Sequence, residues 1–335
     1  MHRREFLSAA LAAQATLRAA ERIRIGVLGA THPHAAEKIR VLRESQNLDL
    51  AGVCEPDPAV RAALEKKGVR LVERDALLGD ASIRIVAVES GVRDHAAHAR
   101  LALEAGKHVH VEKPPSAQMR DLQELVALAR RKNLLMQMGY MWRYHPGFNA
   151  ILEAARKGWL GEIYLVRGII NTLLPAADRA SLAQFAGGQM FEMGGHLIDA
   201  LVRLMGPPRR VTPFLHSADN TAAVFDYPRA MAVVSSATLQ PNSFPHRSFE
   251  VFGTSGTAVL RPLEPGTLVV DLARAAGPYA VGMQTVKLAP FRRYVADFED
   301  LAEAVRASRP LAITPQEDLN VHEALLRASG MWSRS

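Results

Sequence analysis

Residues 108–115 read HVHVEKPP, and the interpretation of the chain starts from this stretch. Alternating valine and histidine predict a short strand, which Pro114 and Pro115 end because proline has no amide proton for the ladder. The turn places the ammonium group of Lys113 at the carboxyl end of a strand, and ligands bind at that edge of an open α/β sheet. A solvated lysine in a turn is the alternative that these residues alone leave open.

Strands and helices alternate on both sides of this stretch. Parallel strands need crossover connections, and helices of ten to fifteen residues supply them. We therefore predict an α/β fold whose N-terminal domain, residues 22–146, is a Rossmann-like doubly wound parallel sheet. The other predicted strands of this domain are 24–28, 48–54, 83–88 and 134–138, and its clearest helices are 94–105 and 119–132.

The alternation ends after Pro146. A helix over 147–157 leads into a strand at 163–171, and several strands then follow without helices between them. Consecutive strands joined by short turns favour antiparallel pairing. We predict that residues 147–335 form a C-terminal α+β domain with an open, largely antiparallel sheet; its later strands are placed at 221–227, 230–239, 247–252 and 267–272.

Composition excludes several classes of function. The chain has 335 residues and a net charge of +7, but no run of five basic residues, and only 6% of its residues are aromatic, so we predict no nucleic-acid partner. Its one cysteine, Cys54, rules out a disulfide framework within the chain. No segment has eighteen uncharged apolar residues, so we predict no membrane span.

The first 21 residues resemble a targeting segment. Arg3 and Arg4 precede a short apolar stretch, and Ala13-Gln14-Ala15 fits a small-residue cleavage site, which together outline a twin-arginine export signal. The expectation is a periplasmic protein. A disordered tail is the alternative, and the protein would then be cytoplasmic.

The glycine turn after the first strand meets the dinucleotide fingerprint only in part. Residues 26–34 read GVLGATHPH, so Gly29 is present, while Thr31 and His34 occupy the second and third small-residue positions. Pro33 suits a first helical turn, and Thr31 is expected to cap that helix and to donate to a phosphate. Glu55, at the end of the second strand, would bind the ribose hydroxyls and repel a 2′-phosphate, which favours NAD over NADP.

A helix beginning near Met190 carries a second group of ionisable residues. Glu192, His196, Asp199 and Arg203 fall on one face of a regular helix, with leucines on the other side. The simple alternative is the solvated face of an amphipathic helix. No metal site is predicted, because no H-E-x-x-H motif occurs, and His32 and His34 lie two positions apart and should point apart.

Taken together, these motifs resemble the Gfo/Idh/MocA family of oxidoreductases. The resemblance implies an NAD-binding first domain, and a second domain that binds substrate and forms a homodimer or homotetramer. It also implies that a histidine of the 190–203 helix lies beside the lysine of the E-K-P turn. The likeness runs from Arg24 to the C-terminus and is carried by Gly26–Ala30, VCEPDP at 53–58, EAGKHVHVEKP at 104–114, GYMWRYHP at 139–146 and GGQMFEMGGHLID at 187–199.

These considerations give a predicted set of site residues. His196 would act as the base that takes a hydroxyl proton, and Lys113 would stabilise the developing alkoxide. Glu192 stands where the family usually has aspartate. Arg143 is either a substrate ligand or a structural ion-pair residue. The cofactor is assigned to Gly26, Gly29, Ala30, Thr31, His32, Glu55, Glu112 and Lys113, and the substrate to Lys113, Arg143, His196 and Asp199.

Three functions are compatible with the predicted fold and site residues. The first is an NAD-dependent oxidoreductase that transfers a hydride between nicotinamide and a secondary hydroxyl of a sugar, sugar acid or polyol. The second is an NAD-dependent glycoside hydrolase that works by transient oxidation and elimination. The third is a non-catalytic sensor of a sugar or nucleotide. The altered glycine turn and Glu192 are the features that favour it.

Overall fold

The computed structural model describes residues 22–333. The predicted export signal at 1–21 lies outside this range and stays a prediction. Among the described residues, no helix combines the length and the apolar character that a bilayer crossing requires.

A parallel sheet forms the centre of the N-terminal domain, as predicted. Its strands are arranged in the order β2-β1-β3-β4-β5, and every pairing is parallel. Helices cover both faces, so β1 and β3 are almost continuously apolar and buried. The elements are β1 Ile23–Leu28, α1 Ala35–Glu44, β2 Leu48–Cys54, α2 Pro58–Lys66, α3 Arg74–Gly79, β3 Ile83–Val88, α4 His95–Glu104, β4 His108–Val111, α5 Met119–Arg131 and β5 Met136–Met138.

A larger sheet forms the centre of the C-terminal domain. Its order is β13-β12-β11-β10-β6-β9-β8-β7, and all of its pairings are antiparallel except that of β6 with β9. The predicted open, largely antiparallel sheet is confirmed. The elements are α6 Pro146–Arg156, β6 Ile163–Ile169, α7 Ala176–Leu182, α8 Gly195–Met205, β7 Arg210–Ser217, β8 Asn220–Asp226, β9 Met231–Ala237, β10 Ser248–Gly253, β11 Gly256–Leu260, β12 Leu268–Leu272, β13 Gly282–Val286, α9 Val295–Ala307 and α10 Pro315–Ala328.

Helix α8 crosses the inner face of this sheet closely. A Cβ atom at Gly168 of β6 would lie 2.9 Å from Cδ1 of Leu197, so only glycine allows the helix to approach the strand this far. On the same face, Phe249 of β10 packs against Phe148 of α6, with ring centroids 5.2 Å apart. The sheet therefore fixes the start of α8, where His196 lies.

The chain returns to the first domain at its end. Phe298 of α9 packs against the ring of His110 in β4, at 4.5 Å between centroids. Gln137 of β5 donates a hydrogen bond of 3.1 Å to the backbone oxygen of Asp297. Helix α9 thus covers part of the Rossmann sheet, although it follows the second sheet in sequence.

The glycine turn differs from the prediction in one respect. Helix α1 begins at Ala35 with His34 at its N-cap, and no side chain caps it. The predicted cap by Thr31 is therefore wrong. The physical reason is that the helix begins at Ala35 and not near Pro33, so the N-cap position belongs to His34 and Thr31 lies three residues before it.

The conformation of Gly29 gives a prediction about stability. Gly29 has φ +78°, and a Cβ atom there would lie 2.4 Å from Cβ of Ser90, whereas Gly68 has φ +66° with nothing within 4 Å of its Cβ position. Gly68→Ala should cost about 1–2 kcal/mol for the left-handed backbone. Gly29→Ala should cost a further ~1–3 kcal/mol for the clash.

Urea unfolding followed by circular dichroism measures both costs. Equal destabilisation by the two substitutions would show that the contact between Gly29 and Ser90 does not constrain the turn.

Candidate active site

Lys113 lies at the carboxyl edge of the parallel sheet, where the sequence placed it. It follows β4 and is buried, with only 1% of its surface exposed. Its Nζ donates a hydrogen bond of 2.8 Å to the backbone oxygen of Glu192 and lies 3.3 Å from Glu192 Oε1. The turn of the first domain is thereby joined to the second domain by one ammonium group.

Glu192 belongs to a π-helical turn, Met190–Gly194, that precedes α8. The prediction of a regular helix is wrong at this turn, because a π turn adds one residue and rotates Glu192 relative to His196. His32 Nε2 lies 3.6 Å from Glu192 Oε1. Burial raises the pKa of the Glu192 carboxyl, but Lys113 and His32 outweigh it and hold the pKa below its usual range, so Glu192 is ionised.

His196 is buried at the start of α8 and is 2% exposed. Burial lowers its pKa well below the ordinary value, and Lys113 and His34 act in the same direction. Its ring packs against Trp142, with centroids 5.0 Å apart. Among the described residues, His196 Nδ1 has no hydrogen-bond partner. The imidazole is therefore neutral and free to accept a proton.

The solvated face, which was the alternative interpretation of this helix, is not observed. His196 and Asp199 are both 2% exposed, and Arg203 is only partly exposed. From Gly195 onward the helix is regular, and Asp199 faces Arg143 of the first domain and not water.

His32 and His34 converge, so the expectation that they point apart is wrong. The turn between them brings their ring centroids to 4.7 Å, and the backbone N–H of His34 donates to His32 Nδ1 at 3.2 Å. His34 Nδ1 lies 3.2 Å from Glu112 Oε2. Three potential metal-ligand atoms of His32, His34 and Glu112 lie within 4.8 Å of one another, but Lys38 also donates to Glu112. The cluster as it stands is a hydrogen-bonded network.

Lys38 is the residue of this network that the sequence analysis missed. It is fully buried, and its Nζ binds both Glu112 and Glu89, the latter at 2.8 Å. Burial lowers the pKa of Lys38, but the two carboxylates outweigh it and raise the pKa above the ordinary value. The sequence contained a sign of this burial, because Lys38 falls on the same helical face as the apolar residues Ala35 and Leu42.

Arg143 and Asp199 bind each other. Arg143 Nε and Nη2 donate to Asp199 Oδ1 at 2.9 and 2.7 Å, and Nη2 also donates to Asp318 Oδ1 at 2.6 Å. All three side chains are about 3% exposed. This geometry favours the structural ion pair over the substrate ligand, because the triad joins the Arg143 segment to α8 and α10 beneath the site.

The carboxyl ends of β1 and β2 border a cavity of about 340 Å³. Its walls include Leu28, Glu55, Arg61, Arg74 and His98. In a doubly wound sheet this is where the adenosine half of a dinucleotide binds.

Glu55 does not project freely into this cavity. It is 1% exposed, and its carboxylate accepts hydrogen bonds from the backbone N–H groups of Ala30, at 2.5 Å, and Asp57, at 2.7 Å. A carboxylate has further lone pairs, so a role in binding ribose stays a prediction. The observed role of Glu55 is to fix the glycine turn against the end of β2.

The residues fit a nicotinamide dinucleotide. Gly29 permits the close turn, the cavity beside Glu55 has the right place in the fold, and the buried nitrogens His196 Nδ1 and His32 Nε2 have no hydrogen-bond partner among residues 22–333. Ala30 and Thr31 form the rest of the turn, before the amino end of α1, whereas Gly26, which was also predicted to bind the cofactor, lies inside β1 with its Cβ position against Leu77. Unpartnered buried polar atoms at a sheet edge indicate that a polar ligand completes the site.

Similar proteins are oxidoreductases. The chain is 25% identical over 320 residues to an uncharacterized oxidoreductase, ORF334, of Rhizobium meliloti, covering 90% of this chain and 95% of that one. It is 24% identical over 276 residues to scyllo-inositol 2-dehydrogenase (NADP+) IolW of Bacillus subtilis, covering 74% and 76%. A solved oxidoreductase from Desulfitobacterium hafniense has the same fold, with a TM-score of 0.81 at 18% identity over 92% and 95% of the two chains.

Both halves of the chain match one family. Residues 23–140 match the oxidoreductase family with an NAD-binding Rossmann fold, and residues 148–259 match the GFO/IDH/MocA C-terminal domain. The chain therefore belongs to the Gfo/Idh/MocA family and is an NAD(P)-binding oxidoreductase.

Proposed function

We propose that this oxidoreductase transfers a hydride between a nicotinamide dinucleotide and a secondary hydroxyl group of a sugar, sugar acid or polyol. The observation that carries the proposal is a buried, neutral His196 with an unpartnered ring nitrogen, whose pKa is lowered in part by the nearby Lys113 ammonium. Oxidation of an alcohol carbon needs a base for the hydroxyl proton and a cation for the oxygen, and these two residues supply both.

The roles of the protein groups follow from their contacts. The nicotinamide ring, when bound, accepts or donates the hydride. His196 takes the hydroxyl proton, and Lys113 donates a hydrogen bond to the oxygen as negative charge develops. Glu192 holds Lys113 by its backbone oxygen and its carboxylate, so the ammonium group is in place before substrate binds. The side chains of Glu192 and His34 are 25% and 18% exposed, so substrate approaches from their side.

NAD is the proposed cofactor. The buried carboxylate of Glu55 at the end of β2 disfavours a 2′-phosphate nearby. Arg61 and Arg74 line the same cavity, and their positive charges would attract a 2′-phosphate. Both are already engaged, because Arg61 donates to the backbone oxygen of Glu55 and Arg74 pairs with Asp75 at 2.9 Å. The similar inositol dehydrogenase is named for NADP, so the preference needs a direct test.

A second candidate function is glycoside cleavage by oxidation and elimination. This chemistry needs an additional base, because a C–H proton must leave as well as the hydroxyl proton. His34 supplies a candidate, since burial lowers its pKa and its ring lies 6.2 Å from that of His196. Release of p-nitrophenol from a p-nitrophenyl glycoside without net NADH formation would favour this function.

A homodimer or homotetramer is also part of the proposal. The second sheet exposes large apolar side chains: Tyr164 is 50% exposed, Phe214 57%, Met231 49% and Met283 76%. Exposed apolar side chains on a sheet favour association, which light scattering on the purified protein measures. Periplasmic export remains a proposal from the Arg3-Arg4 segment, and fractionation of cells expressing the full chain tests it.

Loss of either central residue should reduce turnover far more than it weakens cofactor binding. Lys113→Ala and His196→Ala should each reduce kcat by about 10²–10⁴-fold, with NADH affinity changed far less. Lys132→Ala is the control, since Lys132 is exposed and its Nζ donates to the backbone oxygen of Glu104, away from the site. Steady-state kinetics and NADH fluorescence titration give the two readouts, and unchanged turnover in either central variant would refute the assignment.

The pH dependence of oxidation should lack a transition at the ordinary histidine pKa. Burial, Lys113 and His34 all lower the pKa of His196, Glu112 opposes them, and Arg293 adds a smaller lowering. His196 therefore stays neutral, and able to accept a proton, as the pH falls through 6.5.

Activity in the oxidation direction should accordingly be lost only at lower pH. The profile of kcat/KM between pH 5 and 8 tests this, with circular dichroism at each pH as the control for folding. Half-maximal loss near pH 6.5 would contradict a buried neutral base.

Cofactor preference can be resolved with one arginine variant. Wild-type protein should bind NADH more tightly than NADPH in a fluorescence titration, and Arg74→Ala should leave the NADH affinity unchanged. Tighter binding of NADPH that Arg74→Ala abolishes would show instead that the cavity accepts a 2′-phosphate.

A further inference from the structure

Arg247 carries a buried charge without a counter-ion. The residue is 6% exposed, and its Nε donates to the backbone oxygen of Asn171 at 2.7 Å. The ring of Phe244 covers one face of the guanidinium group at 4.1 Å. Among residues 22–333, no carboxylate lies within 4.0 Å of its nitrogens. A buried cation in this state is costly unless an anion completes its surroundings.

The backbone places Arg247 on the inner face of the second sheet. The residue is extended and comes directly before β10, so by alternation it shares a face with Phe249. From Phe249 a chain of ring contacts leads to the active site. Phe249 packs on Phe148, Phe148 stacks on Trp142 at 5.4 Å, and Trp142 contacts His196 at 5.0 Å. Arg247 thus faces the side of the sheet on which the reaction would take place.

Arg293 is a second cation of this region. Its Nε donates to Glu264, whose other carboxylate oxygen accepts the indole N–H of Trp142. Glu264 is therefore engaged by Arg293 and Trp142. Burial, with a smaller effect from Arg293, lowers the pKa of Arg247 to about 10, and Glu264 opposes this only in part. The Trp142 ring also contacts His196, so Arg293 is connected to the candidate base through Glu264 and Trp142.

We propose that Arg247 binds an anionic substituent of the substrate. This inference rests on the proposed dehydrogenase function and specifies its substrate class: a polyhydroxy compound with a carboxylate or phosphate group away from the carbon that is oxidised. The planar guanidinium edge of Arg247 beyond Nε is free to make paired hydrogen bonds to either group. Binding energy from such a remote group would position the reacting hydroxyl between Lys113 and His196.

Matched pairs of sugars test the proposal on the full chain saturated with NAD+. D-glucuronate represents the carboxylate, D-glucose 6-phosphate the phosphate, and D-glucose the neutral reference. Isothermal titration calorimetry compares wild-type protein with Arg247→Gln. Arg229→Gln is the matched control, because Arg229 is an exposed arginine of the same domain that pairs with Glu162 at the surface.

The wild type should bind at least one of the two anions about 10–100-fold more tightly than glucose, as expected for a hydrogen bond to a charged group. Arg247→Gln should remove this preference and Arg229→Gln should keep it. A preference for glucuronate alone or for the phosphate alone identifies the source of the anion. The preference should weaken as salt increases.

Two results would overturn the proposal. One is equal binding of the neutral and anionic sugars, or no binding of either anion, by wild-type protein; the other is an undiminished anion preference in Arg247→Gln. If Arg247→Gln does not fold, Arg247→Lys replaces it and should retain the charge preference at reduced affinity. Turnover of neutral polyols by wild-type protein without anion preference would leave the dehydrogenase function intact and reject only the subsite.

Discussion

The buried ion cluster around Lys38 is the constraint on which the candidate site depends. Lys38 of α1 binds Glu89 after β3 and Glu112 after β4, and all three side chains are fully buried. Two carboxylates this close, away from water, need a cation between them, and removing one partner of such a pair typically costs about 3–5 kcal/mol. The cluster therefore fixes the end of two strands relative to the helix that follows the glycine turn. His34 and Lys113 take their positions from it.

A further ion pair connects this cluster to the second domain. Lys113 follows Glu112 in the chain and binds Glu192 of the π turn, so a charge of the first domain is neutralised by the second. Below it, Arg143 holds α8 and α10 through Asp199 and Asp318. The start of α8 is thus held from two sides. His196 can remain neutral there because burial, and then Lys113 and His34, lower its pKa by more than Glu112 raises it.

Sequence alone predicted the parts that depend on local periodicity. Alternating strands and helices indicated the parallel sheet, and HVHVEKPP placed Lys113 at its edge. The pairing of Lys113 with the 190–203 helix came from family resemblance, because contacts between distant segments leave no local pattern. The π turn, the convergence of His32 with His34 and the burial of Lys38 were missed. Each depends on tertiary packing that overrides the expected helical geometry or solvation.

The charge distribution of the site favours chemistry in which the substrate brings negative charge. Lys113 would stabilise a substrate oxygen that becomes anionic during the reaction. Arg247 is buried, and among the described residues no carboxylate pairs with it. Glu192 and Glu264 neutralise Lys113 and Arg293, so the unbalanced charge is that of Arg247. A protein that keeps such a cation buried is less stable than it would be with an apolar residue there. That cost is offset when an anion binds, because the ligand restores the missing hydrogen bonds, and the same contact then discriminates against neutral polyols.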